Sequence, residues 1–399
     1  MLDSMVGECG KIYTNRLQTT PKPLEANHVI NLQKQLLAVS IGHFPNGEKL
    51  TVSYSNYHNN PSFLPKFGHA VASVIDGVPK GGCLVFFPSY SFLKKCVACW
   101  NESDDSNNAF NRGRNRYFAN NSRNDNHFIW ERFLRSKGKV IVEPTGGQEE
   151  FEAARDEYKE TIKATGSCIL LAVFRGKMSE GISFDDDNSR AVICIGMPLP
   201  NWTDRSVKAK QAYNDEQRKL RKKTCLLPGR DFYNQQAYRA IAQALGRCIR
   251  HGADYGTVIL MDSRHCWDGS PTVGGVCRAH SNLPKWMRGS VHTLSMERQD
   301  RRVIMRNGQQ QHNQPKVIYG GYAGLKKEMR QFFAKAPIAS QEVRDKWKGD
   351  RERALASSAR GSNVVFHRNT GNWTTVGGSS SARRNGGDSE QQRKSSIQI

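Results

Sequence analysis

Residues 236–251 have the sequence Gln236-Ala-Tyr-Arg-Ala-Ile-Ala-Gln-Ala-Leu-Gly-Arg-Cys-Ile-Arg-His251. As a helix, this stretch puts four residues spaced i, i+3, i+4 and i+7 on one face: Gln243, Gly246, Arg247 and Arg250. The opposite face carries apolar residues that can pack on a sheet: Ile241, Ala244, Leu245 and Ile249. Arginine is a planar, permanently charged donor and glycine permits close approach, so the polar face suits phosphate oxygens. A solvated basic helix face is the plainer alternative.

Outward from this stretch, short apolar runs alternate with amphipathic ones. We predict strands at residues 82–87, 139–142, 168–174, 191–195 and 257–261, and helices near 91–100, 148–165, 204–221 and 231–250. Continuous apolar strands separated by helices are typical of a parallel sheet covered on both faces, so we expect an α/β fold. Ligands of such sheets bind beyond the carboxyl ends of the strands, which directs attention to the loops after Phe87, Phe174 and Ile195.

Two of these loops carry candidate binding residues. Arg175-Gly-Lys-Met-Ser-Glu-Gly181 contains two glycines, a lysine and a serine, which can wrap an anion, although a simple turn is an equal alternative. Glu180 suits the orientation of nearby Arg or Lys groups better than contact with phosphate. In Phe87-Pro-Ser-Tyr90, Ser89 can cap the next helix. Tyr90 can either offer a stacking face to a base or pack at the helix start.

Composition limits the class of protein. The 399 residues include 59 Lys and Arg against 37 Asp and Glu, a formal charge of +22 that favours a polyanionic partner, with nucleic acid as the default. Several of the ten cysteines lie in apolar runs, as buried thiols do. We find no signal peptide and no apolar stretch of about 18 residues, so we expect a reducing compartment, cytosol or nucleus, and no membrane partner. Cys96-Val-Ala-Cys99 has metal-ligand spacing but no second pair nearby, so we predict no metal site.

The predicted organisation has four parts. Residues 1–21 are poorly structured, and residues 22–300 form the α/β domain, interrupted by a polar, Asn-rich insertion at 101–126. Residues 301–339 are a partly helical extension. Residues 340–399 are dominated by Ser, Gly, Arg and Gln, and we expect a disordered basic tail.

The motifs together resemble one family. In order along the chain they are Phe86-Phe-Pro-Ser-Tyr90, Val142-Glu-Pro-Thr-Gly-Gly147, Arg175-Gly-Lys-Met-Ser-Glu-Gly181 and Gln243-Ala-Leu-Gly-Arg-Cys-Ile-Arg250. This order is similar to that of the second, RecA-like domain of XPD-like superfamily two DNA helicases, most closely the Fanconi anaemia group J and RTEL branch. The resemblance covers residues 22–290. In that family ATP is gripped between two RecA-like domains, and its hydrolysis drives 5′→3′ movement on single-stranded DNA.

The resemblance implies a role for each candidate residue. Arg247 and Arg250 would be catalytic, meeting the γ-phosphate of ATP. Nucleotide-binding residues would be Gln243, Gly246, Glu180 and Gly181. Residues at the DNA strand would be Lys177, Ser179, Ser89 and Tyr90. One position departs from the family pattern, since Ser183 stands where the family has an aspartate that can pair with an arginine or a ribose hydroxyl. Asp185, two residues on, is a possible substitute.

The sequence lacks several parts of a complete helicase. It has no G-x-x-x-x-G-K-[ST] segment to cradle phosphates, and no Asp-Glu-Ala-His-like segment to hold Mg²⁺. The resemblance therefore implies that ATP and Mg²⁺ bind mainly on a P-loop-bearing first domain, supplied in cis or in trans. It also implies that the family's 4Fe-4S cluster is not ligated by this chain. Expected partners are that domain and single-stranded or forked DNA, in the nucleus.

Two functions compete at this point. The chain is either the carboxyl-terminal half of an ATP-dependent helicase acting in DNA repair, inactive by itself, or a stand-alone module that binds nucleic acid or a partner without catalysis. Retention of Gln243, Arg247 and Arg250 favours the first function. Ser183 and the missing P-loop favour the second.

Overall fold

The computed structural model describes residues 29–101, 127–179, 184–220, 226–267, 276–297, 316–358, 363–367 and 372–376. These residues contain the strands β1 (Leu36–Ile41), β2 (Gly81–Phe87), β3 (Val140–Val142), β4 (Ser167–Val173), β5 (Ala191–Ile195), β6 (Gly256–Met261), β7 (Val291–Leu294), β8 (Val317–Ile318), β9 (Asn363–His367) and β10 (Asn372–Val376). They contain the α-helices α1 (Leu32–Gln35), α2 (Tyr54–Asn59), α3 (Phe63–Ile75), α4 (Tyr90–Trp100), α5 (His127–Lys137), α6 (Gln148–Thr165), α7 (Arg205–Leu220), α8 (Gly229–Leu245), α9 (Lys285–Arg288) and α10 (Gly321–Ser358).

Strands β1 to β8 form one sheet in the order β3-β4-β2-β5-β6-β1-β7-β8, and every neighbouring pair is parallel. The predicted parallel α/β sheet is therefore confirmed. The five predicted strands are β2 to β6. Strands β1, β7 and β8 were not predicted, although β1 lies between β6 and β7 inside the sheet.

The sheet separates two hydrophobic cores. Alternate residues of a strand point to opposite faces, and β4 shows this, with Ile169 and Leu171 in one core and Cys168 and Leu170 in the other. The first core is closed by side chains of α3, α4, α5 and the beginning of α10. The second core is closed by α6, α8 and α9. Burial on both faces explains why β2, β4, β5 and β6 are continuous apolar runs.

The chain divides into two compact units, residues 1–343 and 344–399. In the first unit, α10 contributes Leu325 and Met329 to the first core. The second unit contains the remainder of α10 and an antiparallel pair formed by β9 and β10. Here the structure differs from the expectation of a disordered tail after residue 340. Residues 340–358 are rich in Glu, Lys, Arg, Gln and Ala, which favour helix even where apolar residues are few.

Two predicted regions lie outside the described residues, namely 1–21 and, apart from Asn101, the insertion at 101–126. Of the predicted extension at 301–339, the described part holds β8 and the beginning of α10. Within the part of the chain that the structure describes, no helix is long and apolar enough to span a membrane.

Candidate functional site

The loop after β2 positions Ser89 and Tyr90. The Ser89 hydroxyl accepts a hydrogen bond from the backbone N–H of Phe92 at 3.2 Å and so caps α4, as predicted. The Tyr90 ring packs half-buried on the first core, and its hydroxyl donates to Oε1 of Glu143 at 2.9 Å. Burial and the nearby carboxylate raise the pKa of Tyr90, so its hydroxyl remains a donor. Tyr90 thus packs at the helix start, and contact with a base stays a prediction.

Glu143 connects three strand ends. It follows β3 directly, and only 3% of its surface is exposed. Its Oε1 atom accepts hydrogen bonds from the Tyr90 hydroxyl and from the Met178 N–H at 3.1 Å. Its Oε2 atom accepts one from the Val173 N–H at 2.7 Å. One buried carboxylate therefore fixes the loops after β2, β3 and β4 relative to one another.

Gly176 allows the loop after β4 to pass close to this carboxylate. A Cβ atom at this position would lie 2.5 Å from Oε1 of Glu143 and 2.9 Å from the Tyr90 hydroxyl oxygen. Neither group can retreat without losing its hydrogen bonds, so a side chain here would displace the loop. The need for glycine in this loop is thus explained by packing inside the chain.

Lys177 is an exposed cation of the same loop. Its Nζ atom donates to the carbonyl oxygen of Gly146 at 3.4 Å, which brings the loops after β3 and β4 together at the surface. Lys177–Ser179 forms a short 3-10 turn, and of Ser179 only the backbone is described. The predicted residues Glu180 and Gly181, and Ser183, lie outside the described residues.

The second group of candidate residues follows α8. This helix ends at Leu245, whereas the sequence predicted helix to about residue 250. That prediction is wrong because the N–H groups of Arg247 and Cys248 bond to carbonyls three residues back, which tightens and ends the helix. The apolar face is buried as predicted, with Ile241, Ala244, Leu245 and Ile249 in the second core. Arg247 and Arg250 therefore lie in the connection between α8 and β6, not on a continuous helix face.

The surface formed by this connection is accessible. Gln243 and Arg250 are exposed, and Gly246 and Arg247 are half-buried. Gly246 has φ −64° and ψ −5°, a conformation that any residue adopts. A Cβ atom there would meet nothing nearer than the Gln243 carbonyl oxygen at 3.5 Å. The fold itself therefore does not require glycine at this position, and its bare surface is available to a group from outside the chain.

Asp254 holds the backbone of this connection. It is fully buried, and its Oδ2 atom accepts a hydrogen bond from the Arg250 N–H at 3.0 Å. Its Oδ1 atom accepts one from Nη1 of Arg190 at 2.8 Å and one from the Tyr255 N–H at 3.0 Å. Arg190 immediately precedes β5, and its guanidinium carbon lies 3.9 Å from the centre of the Tyr255 ring. The buried ion pair thus ties the start of β5 to the segment that carries Arg250.

An aspartate also lies beside this segment, but it is Asp186, not the expected substitute Asp185. Its Oδ1 atom is 3.3 Å from Nε2 of His251 and 3.9 Å from Nη2 of Arg190. The spacing of Asp186, His251 and Asp254 is compatible with a cation ligand set. Arg190 already supplies positive charge to both carboxylates, however, so we assign no metal to this group.

The two groups of residues lie at opposite edges of the sheet. Ser89, Tyr90 and Lys177 follow the carboxyl ends of strands, whereas Arg247 and Arg250 precede the amino end of β6. A strand of six residues such as β6 spans about 20 Å. The candidate residues are thus divided between the loops after strands and a helix-to-strand connection at the other end of the strands, and their functional roles stay predictions. We name the two surfaces the carboxyl edge and the amino edge.

The cysteines do not form a cluster site in the described structure. The buried thiols include Cys83, Cys168, Cys194 and Cys248, which lie on or against different strands. Burial raises the pKa of Cys168 to about 12 and raises that of Cys194 and Cys248 further. Among the described residues no three cysteines come within ligating distance of one another. Cys96 and Cys99 share α4, and Cys96 is buried in the first core.

Sequence analysis missed three residues that organise the site, namely Glu143, Arg190 and Asp254. Each is a charged residue next to the end of an apolar strand. This position is the one feature of the sequence that could have identified them. The contacts that join different strands, Glu143 to Val173 and Arg190 to Asp254, are 30 and 64 positions apart along the chain, and no local pattern identifies them.

Comparison with known proteins places the chain among helicase sequences. Residues 71–288 match the family described as "Helicase C-terminal domain". The chain is 38% identical over 272 residues to the "Fanconi anemia group J protein homolog" of Gallus gallus, covering 67% of this chain and 19% of that protein. It is 34% identical over 268 residues to the "Regulator of telomere elongation helicase 1 homolog" of Drosophila persimilis, covering 67% of this chain and 23% of that protein.

The chain therefore spans about a fifth of the length of these relatives. The solved "Structure of S. tokodaii Xpd4" is also similar, with 16% identity and a TM-score of 0.36, covering 63% of this chain and 38% of that one.

Proposed function

The chain belongs to the helicase C-terminal domain family. On that premise we propose that it supplies the second RecA-like half of an ATP-dependent 5′→3′ DNA helicase of the XPD-like type. Its amino edge would act on ATP held mainly by a first domain, and its carboxyl edge would hold single-stranded DNA. One observation carries the proposal: Gln243, Gly246, Arg247 and Arg250 form an accessible surface. Packing inside the chain does not require glycine at position 246.

At the amino edge, Arg247 and Arg250 would stabilise negative charge that develops on the γ-phosphate during hydrolysis. Guanidinium groups suit this task because they remain charged and donate in a planar fork. Gln243 and bare Gly246 would let the phosphates approach closely. Asp254 supports the proposal, because its hydrogen bond to the Arg250 N–H fixes the backbone before ATP arrives. A preorganised donor loses less entropy when it binds its target.

At the carboxyl edge, Lys177 would bind a backbone phosphate. Glu143 supports this role indirectly, because it fixes the loop that carries Lys177 through the adjacent Met178 N–H. The Tyr90 ring lies beside the same carboxylate and would contact a base with its outer surface. The Ser89 hydroxyl is engaged as a helix cap, so its contribution would be limited to the position of the backbone.

The remaining machinery would come from elsewhere. This sequence has no P-loop, so the main ATP and Mg²⁺ ligands would belong to a first domain in cis or in trans. The buried, dispersed thiols of the described residues do not suit a four-cysteine cluster, so a 4Fe-4S cluster would also be held outside this chain. Action on DNA in repair implies a nuclear location.

The test is ATP hydrolysis by the purified chain with and without a P-loop-bearing first helicase domain. We expect no DNA-stimulated hydrolysis by the chain alone and measurable hydrolysis after complementation. In the complemented enzyme, Arg250→Ala or Arg247→Ala should lower kcat by roughly 10² or more with little change in DNA affinity.

Arg135→Ala is the matched control. Arg135 is exposed on α5, which packs on the opposite face of the sheet from α8, so its removal should leave kcat unchanged. Hydrolysis by the chain alone, abolished by Arg250→Ala, would refute the proposed division of labour. Failure of every complementation, with DNA binding retained, would favour the stand-alone binding module.

A further inference from the structure

A stacked aromatic pair is exposed on α2. The Tyr54 side chain is 66% exposed, and its ring stacks on the ring of His58 with centres 5.0 Å apart and planes 23° from parallel. His58 is itself exposed. Tyr57, on the same short helix, packs edge-on against Tyr54 at 5.5 Å. Among the described residues the outer surface of this pair is covered by no other aromatic ring, so a flat group from outside the chain can reach it.

A lysine completes this group from the neighbouring helix. The Nζ atom of Lys95 on α4 lies 5.3 Å from the centre of the Tyr57 ring and 6.0 Å from that of Tyr54. Lys94 beside it is also exposed. The group lies within residues 49–101 of the sequence, and the only acidic residue in this range is Asp76. The exposed Lys94 and Lys95 give this part of α4 a positive charge, which favours an anion.

The group lies at the carboxyl edge of the sheet. The segment before α2 crosses the end of β6, where the Val52 N–H donates to Oδ2 of Asp262 at 2.9 Å. Tyr57 then packs on Phe92 of α4 with ring centres 4.6 Å apart. Phe92 lies in the first turn of the helix that begins at Tyr90. The exposed rings are thus joined by direct packing to the loop proposed to contact DNA.

We propose that Tyr54, His58 and Lys95 form an accessory binding site for single-stranded DNA, with a base stacked on the exposed ring pair and a phosphate at the lysine. This inference rests on the proposed function, because it extends the same DNA-binding edge. Stacking on an aromatic ring requires no base sequence, since every base has a π-face. Lys95 supplies a positive charge that attracts the DNA phosphate next to the stacked base.

The test is a titration of the full chain with a single-stranded oligodeoxynucleotide that contains 2-aminopurine, whose fluorescence falls when the base stacks on an aromatic ring. Tyr54→Ala should weaken binding by about fivefold or more and remove most of the quenching. Tyr54→Phe keeps the ring and should retain both. Because Tyr54 is largely exposed, neither change should unfold the chain.

Lysine variants separate stacking from charge. Lys95→Ala should reduce the slope of log affinity against log salt by about one. Lys163→Ala is the control, since Lys163 is exposed in the last turn of α6, away from the carboxyl edge, and should leave the quenching unchanged. An unchanged affinity and unchanged quenching in Tyr54→Ala would overturn the proposal, as would an absence of quenching in the unmodified chain.

Failure of this inference and failure of the proposed function give different results. If Tyr54→Ala behaves as the unmodified chain while complemented hydrolysis falls with Arg250→Ala, the accessory site is rejected and the helicase role stands. If Tyr54→Ala loses quenching but no first domain restores hydrolysis, the accessory site stands and the helicase role is rejected.

Discussion

Replacing Glu143 by Gln should destabilise the domain by a predictable amount. The carboxylate accepts three hydrogen bonds, from the Tyr90 hydroxyl and from the N–H groups of Val173 and Met178. A glutamine amide can accept from Val173 with its oxygen, but its NH₂ group then faces the other two donors. The Tyr90 hydroxyl can rotate and accept, whereas the Met178 N–H loses its acceptor.

The magnitude follows from these contacts. An unsatisfied buried N–H costs about 1–3 kcal/mol, and loss of charge weakens each remaining hydrogen bond by about 1 kcal/mol. We therefore expect Glu143→Gln to lower the free energy of unfolding by about 2–5 kcal/mol, measured by urea denaturation followed by circular dichroism. Glu160→Gln, an exposed substitution on α6, should change it by no more than about 0.5 kcal/mol.

A double-mutant cycle with Tyr90→Phe tests the same contacts. Removing the hydroxyl costs more when its partner is a carboxylate than when it is an amide, so the two substitutions should be non-additive by about 1 kcal/mol. A loss below about 1 kcal/mol for Glu143→Gln, or additivity within about 0.3 kcal/mol, would refute the assignment of Glu143 as the common acceptor.

Three further predictions concern other parts of the domain. Gly246→Ala should leave the free energy of unfolding unchanged or raise it by up to about 1 kcal/mol, since φ is −64° and the added Cβ would make only ordinary van der Waals contacts, yet it should lower kcat of the complemented enzyme. Asp254→Asn should lower the free energy of unfolding by up to about 3–5 kcal/mol in urea denaturation, because it removes the one fully buried carboxylate paired with the Arg190 guanidinium and leaves only the more exposed Asp186 and Asp187; a loss within 1 kcal/mol would contradict this. Burial lowers the pKa of His280 from 6.5 to about 4, so the unfolded chain binds a proton first as pH falls. Stability should therefore decrease between about pH 6.5 and 4, by up to about 3 kcal/mol from this residue, and His280→Asn should flatten that part of the stability profile.

Local sequence pattern was sufficient for much of the sheet. Strands β2, β4, β5 and β6 are buried on both faces, so their apolar runs are uninterrupted and easily recognised. Strand β1 was not recognised because it follows α1 without a turn and contains Ser40. That hydroxyl is tolerated inside the sheet because it lies 3.3 Å from both the Thr293 hydroxyl and the His292 carbonyl oxygen. Only the assembled sheet supplies those partners.

The candidate site was predicted in part for the same reason. The motif residues Arg247, Arg250 and Lys177 are visible as charged groups beside glycines, and both arginines and the lysine lie at accessible loops. The end of α8 was not predictable from the local sequence. The only helix-breaking residue in 246–251 is Gly246, and a single glycine does not by itself end a helix. The helix ends through hydrogen bonds that residue propensities do not encode: Arg247 and Cys248 bond three residues back, and the Asp254 side chain accepts the Arg250 N–H that a continuing helix would need.

The position of β1 in the sheet has a consequence for synthesis of the chain. Its partners are β6 and β7, and Leu37 lies 220 positions before Thr257, to which it is bonded. At about 5–20 residues per second, translation takes roughly 10–40 s to reach that partner. Throughout this interval the strand Leu36–Ile41, five of whose six residues are apolar, has neither of its partner strands on the ribosome. Ribosome-bound chains that stop before residue 256 should therefore be cleaved in this segment by a protease selective for apolar sites, and chains extended beyond residue 297 should be protected there.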